Sequence, residues 1–265
     1  MNIYIRELSA HRKSQIIWSV SMFLLVIGGM GKYSAGLGAG VGSMNELISQ
    51  MPKSLQNLVG VGVFDLSKAI DYFGLLFLYI ALMATIHAIM LGTGIISKEE
   101  RDKTVEFLMV KPVSRQKIIT SKLLSALTMI VDFNIVTYIS GLIILSKYSK
   151  DVPFIPGLTK LMLAMLAMQI FFAALGAFMA AVINKPKLSS AVGTGVLLAM
   201  FMLSIIIDVT GKLNFLKYFT IFKYFDAKDI LKLGYDFTYP VITAVLLLAA
   251  IYGTYYFYKK RDLKI

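Results

Sequence analysis

Three side chains capable of chemistry lie inside long apolar stretches: His87 in residues 74–96, and Asp132 and Asn134 in residues 118–146. A group of this kind is costly to place in hydrocarbon, so it faces a helix interface or a wet cavity and is a candidate for handling a proton or a cation. Each also has a structural reading, as a packed histidine or a hydrogen-bonded carboxylate and amide. Beyond this polar set the catalytic inventory is thin. The pairs Gly31-Lys32 and Gly211-Lys212 lack the upstream glycine and the following hydroxyl of a phosphate-binding loop. No HExxH stretch occurs, and His11 and His87 are too far apart to make a local metal motif. Cysteine is absent, which removes disulfides, thiolate nucleophiles and thiolate metal sites. The chain thus reads as non-catalytic, with no cofactor or metal of its own.

A second set is ionic. Ser97-Lys98-Glu99-Glu100-Arg101-Asp102-Lys103 is followed by Thr104-Val105-Glu106-Phe107-Leu108 and then by Lys111-Pro112-Val113-Ser114-Arg115. Pro112 disfavours helix across the junction, and Ser114 is placed to cap the helix that follows. The spacing therefore predicts a short helix joined rigidly to the next long one. By charge alone the segment could be an ordinary solvated loop.

The elements that carry these residues are membrane helices. Only 16% of the 265 residues are charged, against 57% hydrophobic, and the mean hydropathy is +0.73; a soluble domain carries about 25% charged residues. Apolar blocks place spans at 15–31, 74–96, 118–146, 158–183, 188–209 and 239–258, each near the roughly 20 residues that cross a bilayer. The net charge of +12 sits beside these blocks and so reads as membrane orientation rather than nucleic-acid binding. Arg6, Arg12 and Lys13 precede the first block, which reads as a retained signal anchor because further spans follow.

Basic residues cluster before the first span, between the second and third, between the fourth and fifth, and after the last. Most acids occupy the alternate loops, so both termini are expected in the cytoplasm. Residues 1–14 suit an interfacial helix. Met44, Leu47, Ile48, Met51, Leu55 and Leu58 suit an amphipathic one in the first outer loop. Phe215, Tyr218, Phe219, Phe222, Tyr224 and Phe225 suit interfacial anchoring. Small residues at Gly176 and Ala180, and at Ala191 and Gly195, have the spacing of helix contacts. No repeat or soluble second domain is evident, so residues 1–265 read as one membrane domain.

The ionic segment, with Glu99-Glu100, Thr104-Val105-Glu106-Phe107-Leu108 and Pro112-Val113-Ser114-Arg115, resembles that of permeases of the type-two ATP-binding cassette (ABC) exporter class. Lys103 stands where that class frequently has Gly. The resemblance extends to the N-terminal helix, the Met51-Pro52 loop and the six-span layout. It implies an all-α membrane protein of six transmembrane helices, an elbow helix over residues 1–14 and a cytoplasmic coupling helix within 98–112. Glu99, Glu100, Arg101, Thr104, Glu106, Pro112, Ser114 and Arg115 would be the coupling residues. It also implies a separate nucleotide-binding ATPase that holds ATP and magnesium, a second permease copy or a related permease, and a bacterial or archaeal plasma membrane. Surrounding lipid is then a partner, nucleic acid is not, and the cargo is unspecified. An ion-gradient transporter or channel using Asp132 or His87, and a membrane sensor or scaffold, are the competing readings. A membrane enzyme lacks the clustered residues it would need.

Overall fold

The computed structural model describes residues 3–38, 64–104, 113–149, 153–211, 213–232 and 236–260. Six long helices fill it: α1 (Ile3–Gly38), α2 (Ala69–Arg101), α3 (Arg115–Tyr148), α4 (Ile155–Val182), α5 (Pro186–Thr210) and α6 (Thr238–Lys260). All six are long and apolar enough to cross a membrane, and each satisfies its own backbone in hydrocarbon. They match the sequence-derived spans to within a few residues, except that α1 is much longer than residues 15–31. A 3-10 turn (Asn214–Phe219) and two short helical turns (Ile221–Tyr224, Ala227–Lys232) join α5 to α6.

Cross-contacts fix which ends lie together. Arg6 of α1 reaches Glu99 of α2, and Lys122 of α3 reaches the same carboxylate. Arg115 of α3 donates to the Lys259 carbonyl at the end of α6. The start of α1, the end of α2, the start of α3 and the end of α6 thus share one face of the bundle, the basic end. At the far end, Tyr33 donates to the Ser67 carbonyl, and Lys232 pairs with the buried Asp71 at 2.8 Å.

Helices α2 and α4 form the centre. A Cβ on Gly92 would lie 2.1 Å from the Ala173 carbonyl oxygen, and one on Gly176 2.5 Å from that of Ile89. Only glycine lets the two backbones approach so closely. Ala180 is fully buried on the same helix, so the Gly176/Ala180 spacing does serve packing. The second spacing does not: Ala191 is exposed and a Cβ on Gly195 meets nothing. The face of α5 that packs on α2 carries Ser189, Gly193 and Leu197 instead, two residues out of phase with the sequence reading.

Residues 3–14 are not set apart as an elbow helix of their own. They are the first turns of the continuous 36-residue α1. No Gly or Pro interrupts the chain from Ile3 to Ile27, and ion pairs hold these turns against α2 and α3. At 1.5 Å per residue α1 is about 54 Å long, well beyond about 30 Å of hydrocarbon. The apolar run of α1 begins at Ile16, so its charged turns project beyond the membrane.

The aromatic segment after α5 divides. Phe215, Tyr218 and Phe219 are exposed, as anchoring requires, whereas Phe222 packs on Phe172 and Phe201, and Tyr224 stacks on Tyr239. Lys223 bridges Asp208 and Asp226 at 2.6 Å each. Burial works against the Lys223 charge, but the two carboxylates outweigh it and raise its pKa. The amphipathic stretch 44–58 lies outside the described residues.

The glycine geometry sorts substitutions. Gly92→Ala and Gly176→Ala should lower the melting temperature in detergent markedly, because backbone must move to admit the methyl. Gly195→Ala should leave it unchanged or raise it, since helix-interior glycine costs about 0.5–1 kcal/mol relative to alanine. Equal effects at the three sites would contradict the α2–α4 contact.

Candidate functional site at the basic end

Lys122 enters seven residues into α3 on its buried face, and its side chain is fully buried. Its ammonium donates to Glu99 at 2.8 Å and to the Ile95 carbonyl, and lies 3.6 Å from Glu7. Glu7 is itself fully buried, between Lys122, Arg6 at 2.9 Å and Lys98 at 3.4 Å. Arg6 forks, with its second contact to Glu99 also at 2.9 Å. Five charges on α1, α2 and α3 therefore close one continuous network, in which each buried carboxylate has more than one cation.

Burial alone would push the Glu7 carboxyl up, but Lys122, Arg6 and Lys98 outweigh it and hold its pKa below the ordinary range. The folded value lies under the unfolded one, so this contribution to stability is complete above about pH 4.3. It is lost only as acid carries the pH down through the folded value. His11 lies 4.0 Å from Glu7, yet burial and then Lys98 lower its pKa.

Of the coupling residues read from sequence, Glu99 is turned inward into this network rather than outward. Glu100 is half-buried, while Arg101 and Thr104 are exposed, Arg101 against Asp102 at 3.0 Å. Ser114 caps α3 as its position suggested, accepting from the Lys117 amide at 3.3 Å. Glu106 and Pro112 lie outside the described residues, as does the short helix expected between α2 and α3.

The end of α2 is a closed stop. Thr104 N–H donates to the Glu99 carbonyl at 2.8 Å and Lys103 N–H to that of Glu100 at 3.4 Å, the paired bonds of a Schellman motif. That motif needs a left-handed residue, and Lys103 supplies it with φ of 54°. A lysine thus holds a conformation that glycine would adopt without steric cost.

The structure separates the three polar residues of the spans. His87 is buried, stacked on Phe133 at 4.6 Å and tilted against Trp18 at 5.4 Å. Asn134 is buried on another face of α3 and donates to the Met162 carbonyl at 3.1 Å and to Gln169 at 3.2 Å. Asp132 is exposed on a third face, where Gln15 of α1 donates to it at 3.1 Å. Successive helical positions point about 100° apart, so residues 132 and 134 could not have shared a site. Among the described residues no cluster of side chains has the makings of a metal site.

Sequence reading missed Glu7 and undervalued Lys122. The available signal was a lone acid within the basic start of α1 and a lysine buried in the apolar pattern of α3, two charges that each demand a partner.

A model of a family described as ABC-2 family transporter protein matches residues 1–263. The chain belongs to that family, and is accordingly a multi-pass membrane component of the ABC transporter class. No curated protein matches it.

Two measurements test the site. Lys122→Met removes the cation shared by Glu7 and Glu99 and should destabilise the protein by about 3–5 kcal/mol, the usual cost of breaking a buried pair; thermal unfolding in detergent reads it. Lys103→Gly should slow amide exchange at Thr104, and Lys103→Val should speed it, because a left-handed residue with a Cβ costs roughly 1–2 kcal/mol. Unchanged exchange in both variants would mean that the stop does not depend on this residue.

Proposed function

We propose that this ABC-2 family member is the permease subunit of an ATP-driven exporter in a bacterial or archaeal plasma membrane. A second permease would complete the substrate path, and separate ATPase subunits would bind ATP and magnesium. The supporting observation is the ionic network at the basic end. The segment from Lys98 to Arg115 is the candidate contact with the ATPase, and its two flanks, the end of α2 and the start of α3, are tied to each other through Glu99 and Lys122. The same pair is tied to α1 through Glu7 and Arg6. A push on this segment then displaces three helices together rather than one loop. ATP shifts such a unit only if the ATPase contacts its two conformations with different free energies.

Within this reading the residues divide their work. Glu99 transmits, held inside the network. Glu100, Arg101, Thr104 and Glu106 meet the partner, while Pro112, Ser114 and Arg115 fix the start of α3. Basic residues gather at this end, so it is assigned to the cytoplasm together with both termini. A gradient-driven carrier is the second reading, favoured by Asp132, an exposed carboxylate well inside α3. Such a group needs a wet path or a protein partner.

Topology is testable because the chain has no cysteine. An impermeant thiol reagent should label Ser149→Cys in intact cells and should spare Ser114→Cys until the membrane is opened; the reverse pattern would invert the orientation. For coupling, each variant is reconstituted with its ATPase, and complex yield, hydrolysis and flux are measured together. Glu100→Gln with Glu106→Gln should weaken assembly modestly, since exposed pairs are worth about 0–1 kcal/mol each. Pro112→Ala with Ser114→Ala should preserve assembly and hydrolysis but lower flux per ATP several-fold. Normal assembly and normal flux in both would leave the segment a plain connection, and gradient-driven transport by the purified chain alone would favour the second reading.

A further inference from the structure

Between α3 and α6, with α4 behind them, runs an open groove offering about 240 Å³ of space. Its floor is made of small residues, Gly92, Ala126, Ala173 and Ala174, and its walls are Leu124 and Leu127 of α3 and Ile251 of α6 among other apolar side chains. The α3 wall runs from Thr120 to Ile130, about 15 Å at 1.5 Å per residue. That is half of the roughly 30 Å hydrocarbon thickness. The groove is therefore as long as one leaflet.

Its two extremities differ. Toward the middle of the bundle it is wholly apolar, ending at Ile130 and Leu247. Toward the basic end it closes on two hydroxyls, Thr120 and Tyr255, 2.8 Å apart. One turn further out on each wall stands a cation in phase with the groove. Lys117 precedes Thr120 by three residues and Lys259 follows Tyr255 by four, spacings that keep each on the groove's side of its helix. Both are exposed, and Arg115 joins them through its bond to the Lys259 carbonyl at 3.1 Å.

We infer that this groove is a binding site for one anionic glycerophospholipid, with an acyl chain between α3 and α6, the ester region at Thr120 and Tyr255, and the phosphate between Lys117, Arg115 and Lys259. The order of chemistry along the groove (apolar, hydroxyl, cationic) is the order of chemistry along such a lipid. A cytosolic anion fits only the outermost part, and an apolar helix of a second permease would lay hydrocarbon against the exposed ammonium groups of Lys117 and Lys259. The lipid acts as a spacer. The polar links between α3 and α6 described above lie at the basic end, and the acyl chain continues that contact toward the bilayer centre. The site depends on neither the transport direction nor the ATPase, so it stands or falls separately from the proposed function.

The test uses the full chain in mild detergent, incubated with an equimolar mixture of phosphatidylglycerol and phosphatidylcholine bearing identical chains. Retained lipid is counted per chain by native mass spectrometry. The wild type should keep one phosphatidylglycerol in at least several-fold preference to phosphatidylcholine. Lys117→Gln with Lys259→Gln should abolish the preference, and both residues are exposed, so folding is not at stake. Leu127→Trp, on the groove wall, should lower retention of both lipids while the melting temperature confirms a folded chain. If that variant does not fold, Leu124→Trp on the same wall takes its place. Equal retention of the two lipids by the wild type, or unchanged retention after the groove is filled, would overturn the inference. Retention of free glycerol phosphate in place of intact lipid would overturn it as well.

Discussion

A lysine ammonium buried among three helices is the constraint around which the basic end is arranged. Lys122 has no exposed surface, and an ion so placed must be paired and hydrogen-bonded or it costs several kcal/mol. Two carboxylates answer it, Glu7 from the start of α1 and Glu99 from the end of α2. Those carboxylates need further cations in turn, which Arg6 and Lys98 provide. Satisfying one charge thus fixes the relative height and rotation of α1, α2 and α3. Apolar contacts between lipid-embedded helices cannot do this alone, because hydrocarbon competes with them on equal terms.

Elsewhere the bundle is set by shape. The α2–α4 contact rests on Gly92 and Gly176, and these helices hold more buried surface than α1, α5 or α6. The last three lie at the rim, where an exposed Ile or Leu needs only lipid. On α3, Asp132 is exposed beside Gln15 of α1, and that face of α1 and α3 is one that lipid alone does not suit. The far end has its own ionic fastening in Asp208, Lys223 and Asp226, which holds the turns between α5 and α6 against the core.

The six spans were legible because length and apolarity are properties of contiguous sequence, and the Ser114 cap because its partner is three residues away. Gly176 was legible for the same reason, its spacing to Ala180 being local. What failed to show was rotation. Ala191 and Gly195 carry the spacing of Gly176 and Ala180 yet face outward, since nothing local tells a helix which side its neighbour lies on. Asp132 and Asn134, two residues apart, occupy different faces of α3, one exposed and one buried. Glu7 was hidden because its distant partners are Lys98 and Lys122, and residues 3–14 continue into α1 without a break in the helix that would set an elbow apart. Lys103 was visible as a departure from glycine, but its left-handed backbone could be read only from the closed stop around it.

The length of α1 has a mechanical meaning. A continuous helix of about 54 Å, gripped near one tip by Glu7 and Arg6, acts as a lever with its short arm outside the bilayer. Each degree of tilt about that grip sweeps the opposite tip through roughly 1 Å. There Tyr33 touches the Ser67 carbonyl and the Tyr148 ring, so a displacement too small to break an ion pair at the handle is large enough to open or close contacts on the other side of the membrane.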